Sequence, residues 1–459
     1  MRPGSATAAS YATLLRLAWP VVLSRASQAV IGFTDAVMVA PWGQDAVAAT
    51  TTGASNSLNL FILPMGVVFI VQSFASQMAG AGDVAGARRY AWYGLGIAAA
   101  TAILSAVGTL GIAPALAPLG YSASVRELLT EYMTIRLLSA GAVVGIEALG
   151  NWYAGLGNTR IPMLVNFGAM VLNVALNWVF IYGNLGAPAL GVAGAALASA
   201  LTSWCAFVVL AVMFGRHWGM RETGTRGRLR LAEFTRMLRF GLPNGVNWFL
   251  EFAAFTFFIN AVVSSLGTTA VAALMAVVQV NSIAFMPAFG VASAGAILVG
   301  NAIGRDARDE VPTLVRRTCV VTTSWQGFVG LIYAAMPAAV MGMFASDTVD
   351  SAAMVAMGTT MLLVSTAWQL FDAVAITLSE ALRAAGDTAW CMWARVALAW
   401  GLFVPLAAWA VLRADVGPVG AIACFVVYLA ALSALMAWRF LGGAWRKIDL
   451  TGGSQVPLA

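Results

Sequence analysis

The chain has 459 residues and a formal net charge of +6, with 61% hydrophobic and only 10% charged residues. A soluble domain carries about 25% charged residues, so this composition excludes a soluble globular protein and indicates an integral membrane protein. Four scattered cysteines without a CxxC spacing and a single histidine exclude the common zinc motifs.

Apolar stretches long enough to cross a bilayer recur along the whole chain. A helix needs about 20 residues to cross hydrocarbon about 30 Å thick. The first stretch continues for a full span instead of stopping at a cleavage site, so we expect it to stay in the mature protein. The sequence therefore predicts an all-α integral membrane protein with twelve transmembrane helices. The predicted spans are 14–40, 54–79, 90–115, 128–153, 161–183, 189–214, 240–264, 272–300, 317–344, 353–380, 390–412 and 417–441.

Arginines are concentrated in every second connection. The odd-numbered connections hold little more than Arg126 and Arg413. The positive-inside rule therefore predicts that both termini are cytoplasmic. We interpret the basic linker between spans six and seven as a topology signal, and we expect no nucleic-acid partner. The even-numbered connections hold Arg88, Arg89, Arg160, Arg216, Arg221, Arg226, Arg228, Arg230, Arg236, Arg305, Arg308, Arg316, Arg317, Arg383 and Arg395.

The second half of the chain repeats motifs of the first half in the same order. "LRLAWP" at 15–20 returns as "LRFGLP" at 238–243, and "GLGNTR" from 155 is echoed by "RAAGDTA" from 383. Six spans per half predict two lobes related by a pseudo-two-fold axis along the membrane normal, as in alternating-access transporters. The predicted organisation is an N-terminal lobe at 1–214, a basic cytoplasmic linker at 215–238, a C-terminal lobe at 239–445 and a cytoplasmic tail at 446–459.

Polar side chains form stripes on several predicted helices. Lipid cannot hydrogen-bond such stripes, so they must face protein or a water-filled cavity. Carboxylates at this depth usually mark ion or substrate paths, and we interpret Asp35, Glu251 and Asp372 in this way. The roles of Glu147 and Glu380 stay open between structure and function. The stripes, each on one helix face, are Gln28 with Asp35; Asn166 with Asn173 and Asn177; Asn244 with Asn247 and Glu251; and Ser365 with Gln369 and Asp372.

Four segments together resemble the multidrug and toxic compound extrusion (MATE) family, in particular its NorM branch. They are "WPVVLSRASQAVIGFTDAVMVA", "WYAGLGNTRIPM", "GLPNGVNWFLEFAAF" and "WQLFDAVAITLSEALRAAGDT". The resemblance implies two six-helix lobes facing a central cleft, and export of cationic amphiphiles against entering Na+ or H+. It also implies cation-coupling roles for Asp35, Glu251 and Asp372. One departure is Ala384 in "LRAAGDT", where the family usually has glycine.

Our hypothesis for the site places a cation, Na+ or a proton, at Glu251 and Asp372. Asp35 acts as a proton-sensitive or substrate-linked switch in the first lobe. We expect no catalytic residue and no cofactor besides the coupling ion, and a monomer in the lipid bilayer with a small organic cation as partner. Neutral groups expected to support the site or the substrate cleft are Asn247, Gln279, Gln369, Gln28, Asn173 and Asn177.

Two other functions are weighed against this one. A lipid-linked glycan flippase of the same superfamily needs basic groups for phosphates, and the predicted membrane interior offers little besides Arg25. An intramembrane aspartyl protease is suggested by "GAGD" at 80–83, but Asp83 falls in a short polar loop. A P-loop is absent because the only lysine is Lys447, so no ATPase activity is expected. Arginine and alanine usage suggests a GC-rich bacterial genome and hence the inner membrane.

Overall fold

The computed structural model describes residues 10–219, 228–344 and 349–452, and within them all regular elements are helical. Each of the twelve predicted spans coincides with one helix or a short run of helices, so the all-α fold is confirmed. The helices are α1 Tyr11–Val39, α2 Gln44–Phe69, α3 Val71–Gly80, α4 Val84–Gly108, α5 Ile112–Leu116, α6 Ala123–Leu137, α7 Ala140–Gly155, α8 Arg160–Tyr182, α9 Val192–Gly215, α10 Leu231–Phe257, α11 Thr268–Gly304, α12 Val311–Ala335, α13 Pro337–Gly342, α14 Val349–Ala384, α15 Thr388–Leu398, α16 Val404–Leu412 and α17 Gly417–Leu441.

Most of these helices suit a bilayer. In the described part of the chain, nine helical segments are long and apolar enough to cross a membrane, or ten if the bent pair α6 and α7 is counted. The two members of that pair meet at 45°. Helices α1 and α12 fill the remaining predicted spans, where charged residues such as Arg25 and Arg317 lower the mean hydropathy. The chain is thus a multi-pass membrane protein.

Polar contacts stabilise the first turns of α4 and α10. Asp83 precedes α4 and accepts a hydrogen bond from the backbone N–H of Gly86 at 2.7 Å, which satisfies one free donor of the first turn. Its role is that of a cap. Glu233, in the first turn of α10, accepts two bonds from Arg89 at 2.8 and 2.9 Å. Within the predicted linker, α10 begins at Leu231. The middle of the linker, 220–227, and the end of the predicted tail, 453–459, lie outside the described residues.

The described residues form two compact units. Unit 1 contains residues 10–22, 246–344 and 349–452, and unit 2 contains residues 23–219 and 228–245. The division passes through α1 after Val22 and through α10 after Gly245. Each of these two helices consequently begins in one unit and ends in the other.

In unit 1 the core lies around α14, which packs on both α11 and α17. Its largest members are aromatic, and the rings of Phe258 and Phe403 have centroids 4.9 Å apart. The start of α1 belongs to this unit, where Leu14 and Ala18 pack against Val291 on α11. A widened π-helical turn follows α10 at Phe258–Val262, and a second one, Ala399–Phe403, joins α15 to α16.

In unit 2, α2 packs on α6, α4 on α7 and α8 on α9. A close helix contact joins α2 to the first part of α10. A Cβ atom on Gly66 would lie 2.6 Å from the Cα atom of Gly245. Only glycine permits this approach, and it lets Asn244 donate from Nδ2 to the carbonyl oxygen of Gly66 at 2.6 Å.

Candidate functional site

Asp35, near the end of α1, is buried in unit 2 with 4% of its surface exposed. Its Oδ1 accepts a hydrogen bond from Nδ2 of Asn177 on α8 at 2.6 Å, and its Oδ2 accepts one from Oγ of Ser199 on α9 at 2.7 Å. These bonds compensate part of the cost of burying a carboxylate. Both donors are neutral, so the negative charge is held in place without being cancelled.

A second layer fixes the two donors. Asn173 donates from Nδ2 to Ser199 Oγ at 3.1 Å, and Asn177 donates its other amide hydrogen to Asn173 Oδ1 at 3.2 Å. The stripe predicted on the fifth span therefore meets the predicted aspartate. Two residues of α6, Tyr132 and Arg136, are near enough to interact electrostatically with Asp35. Arg136 was missed by the sequence analysis, which placed few basic groups inside the membrane.

Glu147 on α7 is neutralised by Arg25 on α1. Arg25 donates from Nη2 to Glu147 Oε1 at 2.9 Å, and Nδ2 of Asn151 donates to the same oxygen at 2.9 Å. Gln28 accepts from Arg25 at 3.3 Å and is exposed, so in this structure it belongs to this group and not to the group around Asp35. Glu147 is 6% exposed, and an ion pair in that position fits a structural role.

Glu251 on α10 is paired with Arg395 on α15 in unit 1. The Nη1 atom of Arg395 lies 2.7 and 2.8 Å from the two carboxylate oxygens, and its Nη2 donates to Oγ of Ser379 at 2.9 Å. The sequence analysis assigned Arg395 to a cytoplasmic connection. That assignment was wrong, because Arg395 lies inside both the predicted span 390–412 and the apolar helical segment Thr388–Leu412.

Asp372 on α14 has a neutral partner. Gln326 on α12 donates from Nε2 to Asp372 Oδ2 at 2.8 Å. The Gln326 side chain is fully buried, and its Oε1 has no hydrogen-bond partner among the described residues. Sequence reasoning missed Gln326, although the buried residues Thr318, Thr322 and Gln326 form a polar stripe at i, i+4 and i+8 that signals it.

The charged groups of Glu251, Asp372 and Arg395 lie near one another. Asp372 interacts electrostatically with both members of the ion pair, and the buried Tyr428 interacts with all three groups. The structure thus brings together the two carboxylates predicted for this lobe. It also adds a positive charge that the sequence analysis did not place there.

The expected neutral supports are distributed differently. Gln369 is buried and donates to Oδ1 of Asn281, which in turn donates to Oγ of Ser365 at 3.3 Å. Gln279 is exposed, and its recorded hydrogen bond is accepted by its backbone carbonyl from Ser282. Asn247 is buried, and its Oδ1 has no partner within the described residues. None of these bonds reaches Glu251 or Asp372.

Glu380 is the last residue of the predicted span 353–380, where a carboxylate could be solvated. The structure shows a different environment. Glu380 is buried and pairs with Arg383, one turn later on α14. Asp387, seven residues after Glu380, accepts two bonds from Arg439 at 2.7 and 3.2 Å. Both acids are neutralised by arginine, and both therefore fit a structural role at this end of unit 1.

A cation would have to be bound in unit 1 by a small number of oxygens. No cluster of three or more His, Cys, Asp or Glu side chains occurs in the described part of the chain. Asp372 supplies carboxylate oxygens, and Gln326 supplies an amide oxygen that lacks a partner. Carboxylate and amide oxygens suit hard cations, so these residues fit Na+ as well as a proton.

Comparison with known proteins gives a consistent picture. A family model described as MatE matches residues 20–179 and 245–409. The chain is similar to the "Probable multidrug resistance protein NorM" of Neisseria meningitidis serogroup A, with 32% identity over 303 residues. That alignment covers 64% of this chain and 64% of the relative.

A second relative and a solved structure match over nearly the full length. The "Probable multidrug resistance protein NorM" of Xanthomonas campestris pv. campestris is 29% identical over 456 residues, which is 94% of each chain. A structure described as the outward-facing conformation of a multidrug resistance MATE family transporter has a TM-score of 0.82 at 20% identity. It covers 95% of this chain and 96% of its own, and shows the shared fold.

Proposed function

The chain belongs to the MATE family, and from this premise we propose that it is a secondary active multidrug efflux transporter in the bacterial inner membrane. Its substrates are cationic or amphiphilic small molecules, exchanged for entering Na+ or H+ by alternating access. The protein works as a monomer with both termini in the cytoplasm. Asp35, Glu251 and Asp372 carry the coupling.

The observation that carries this proposal is the contrast between paired and unpaired buried carboxylates. Glu147, Glu380 and Asp387 each form a salt bridge with an arginine. Glu251 is paired as well, with Arg395, and its coupling role is proposed because Asp372 lies near that pair. Asp35 and Asp372 form no salt bridge with the described residues, and their hydrogen bonds come from neutral groups. Holding an uncompensated charge in a membrane interior is costly, which supports a role in binding a cation.

The membrane potential supplies the driving force for such a cation. A positive charge entering the cell gains about 2.3 kcal/mol per 100 mV. Because binding neutralises the carboxylate, it lowers the cost of burying that group in the alternative conformation and shifts the equilibrium between states. Asn177 beside Asp35 and Gln326 beside Asp372 each donate from the amide nitrogen and have an amide oxygen without a partner among the described residues. Both carboxylates therefore suit a proton as well as Na+.

The test is efflux of a fluorescent cationic dye from proteoliposomes that contain the full chain. A Na+ gradient and a pH gradient are imposed separately on the wild type and on Asp35→Asn, Glu251→Gln and Asp372→Asn. Asp45→Asn is the matched control, since Asp45 is an exposed carboxylate in the first turn of α2. We expect gradient-driven efflux in the wild type and control, and its loss in the three variants.

Full coupled efflux in Glu251→Gln or Asp372→Asn would remove that residue from the mechanism. A folded wild type that moves no dye under either gradient would overturn the proposed function itself. The glycan flippase is not favoured by the interior arginines. Arg25 and Arg395 are already bound to Glu147 and Glu251, and Arg136 donates to Ser139 and lies near the acidic Asp35.

A further inference from the structure

The ion pair between Glu251 and Arg395 is asymmetric. Glu251 has 37% of its side chain exposed, whereas Arg395 has 16%. The arginine also has a second partner, because its Nη2 donates to Ser379 at 2.9 Å. The Glu251 carboxylate is therefore accessible to other groups, while the Arg395 guanidinium is also held by its hydrogen bond to Ser379.

We propose that Arg395 is a tethered competitor for Glu251, and that a transported organic cation must displace its guanidinium from the carboxylate in order to bind. This inference rests on the proposed function and names the residue that sets affinity at that site. The Nη1 atom of Arg395 bonds both oxygens of Glu251, so an entering cation competes with the guanidinium for the charge of this carboxylate. Displacement leaves Arg395 bonded to Ser379 and near Asp372, which limits the cost of separating the pair.

The helices that carry the pair have irregular turns close by. The turn Phe258–Val262 follows Glu251 by seven residues, and the turn Ala399–Phe403 follows Arg395 by four. The two turns touch through the rings of Phe258 and Phe403. A π-helical turn loosens the regular hydrogen-bond register of a helix and is frequent at functional sites. Small shifts of either helix relative to its partner are therefore accommodated beside the ion pair.

A competitor of this kind serves release. A transporter must bind its cargo strongly enough to load it and weakly enough to let it go. An arginine that returns to Glu251 expels the cargo without any change in solution conditions. Removing the arginine should therefore tighten binding and slow turnover together, so that KM and Vmax of efflux both fall.

The first experiment measures equilibrium binding of radiolabelled tetraphenylphosphonium to the full chain in lipid nanodiscs. This cation has no N–H or O–H group, so its binding reports charge and apolar contact. We expect Arg395→Gln to lower the Kd by about tenfold or more, because no guanidinium then competes with the probe for the Glu251 carboxylate. Arg395→Lys, which keeps the charge, should stay within about threefold of the wild type.

A double variant tests whether Arg395 acts through Glu251. In Glu251→Gln the competitor has no carboxylate to occupy, so the further change Arg395→Gln should alter the Kd by less than about threefold. A folded Arg395→Gln protein whose Kd is unchanged or higher overturns the proposal. So does an effect of Arg395→Gln that is equally large with and without Glu251.

A measurement on the wild type covers the case in which Arg395→Gln does not fold. Phenylglyoxal modifies accessible guanidinium groups, and mass spectrometry locates the product. Saturating tetraphenylphosphonium should increase modification of Arg395 and leave that of the paired Arg25 unchanged. Unchanged or reduced modification of Arg395 contradicts displacement, as does a failure of wild type and variant alike to bind the probe. Dye efflux by the wild type is measured separately, and its absence would overturn the proposed function and not the role of Arg395.

Discussion

Asn177 on α8 donates its side-chain amide to Oδ1 of Asp35 on α1 at 2.6 Å, across 142 positions of sequence. The bond joins the two polar stripes that the sequence places on the first and fifth spans. Because Asn177 also bonds Asn173, and Asn173 bonds Ser199, the carboxylate is held by a closed set of neutral groups. Each member of this set is open to mutation.

Replacing Ser199 by alanine should destabilise unit 2. Its hydroxyl donates to Asp35 and accepts from Asn173, so the change leaves two buried groups short of a partner. We expect a loss of about 1.5–3 kcal/mol, typical of hydrogen bonds to charged groups, seen as a lower Tm by tryptophan fluorescence. Ser203→Ala is the control, because Ser203 bonds only the carbonyl of Ser199. Equal shifts in the two variants would show that the bond to Asp35 adds no stability.

The pair between Arg25 and Glu147 should behave as a structural ion pair. Arg25→Met leaves a buried carboxylate with Asn151 as its remaining recorded side-chain partner, and we expect a cost of about 3–5 kcal/mol. The double variant Arg25→Met with Glu147→Met removes both charges and should recover most of that loss. Thermal unfolding in detergent measures both.

The same double variant decides the role of Glu147. A structural pair predicts dye efflux near the wild-type rate once stability is restored. Efflux that is absent in a stable double variant would instead place Glu147 in the transport mechanism.

Gly66→Ala should force α2 away from α10. The new methyl group would lie 2.6 Å from the Cα atom of Gly245, and no side chain is present that could rotate away. We expect a loss of about 1–3 kcal/mol, as for other overpacked cores. Gly96→Ala is the matched control on α4, since a Cβ atom there meets nothing within 4 Å and alanine favours helix by up to about 1 kcal/mol. A Tm unchanged in both variants would mean that the helices separate at no cost.

The segment that follows α17 should contribute to the stability of unit 1. Trp445 is 2% exposed, stacks on Phe440 and donates from Nε1 to the Phe440 carbonyl at 3.0 Å. Trp445→Ala should cost about 3–5 kcal/mol. Trp438→Ala, at a position 66% exposed, should cost less than about 0.5 kcal/mol. Melting temperatures of the two variants compare a buried tryptophan with an exposed one seven residues away, and a reversed order would refute the packing of this segment.

The helices could be predicted because hydropathy is a local property summed over a whole span. The same local view placed Asp35 on one polar stripe and Asn173 and Asn177 on another, and predicted that each stripe faces protein or water. It did not predict that the two stripes meet. It could not find the partner of Glu251, because Arg395 lies 144 positions away and was counted with a connection although the predicted span 390–412 contains it.

Other features of the site could not be located from the sequence for the same reason. Gln279 was expected to support the cation site or the substrate cleft; it is exposed on α11, and its place in the site stays a prediction. Gln326 was overlooked because an amide carries no charge and so draws no notice in an apolar stretch. Burial is decided by which face of a helix meets its neighbours, and a single sequence states this only where several polar residues share one face.

The path of the chain through the two units sets an order of assembly. The described residues of unit 2 lie at 23–219 and 228–245, so its helices can pack on one another before the C-terminal part of unit 1 has been made. Unit 1 needs residues 10–22 together with 246–344 and 349–452, and Leu14 and Ala18 can contact Val291 only after that residue has been made. The first turns of α1 are therefore synthesised early and packed late.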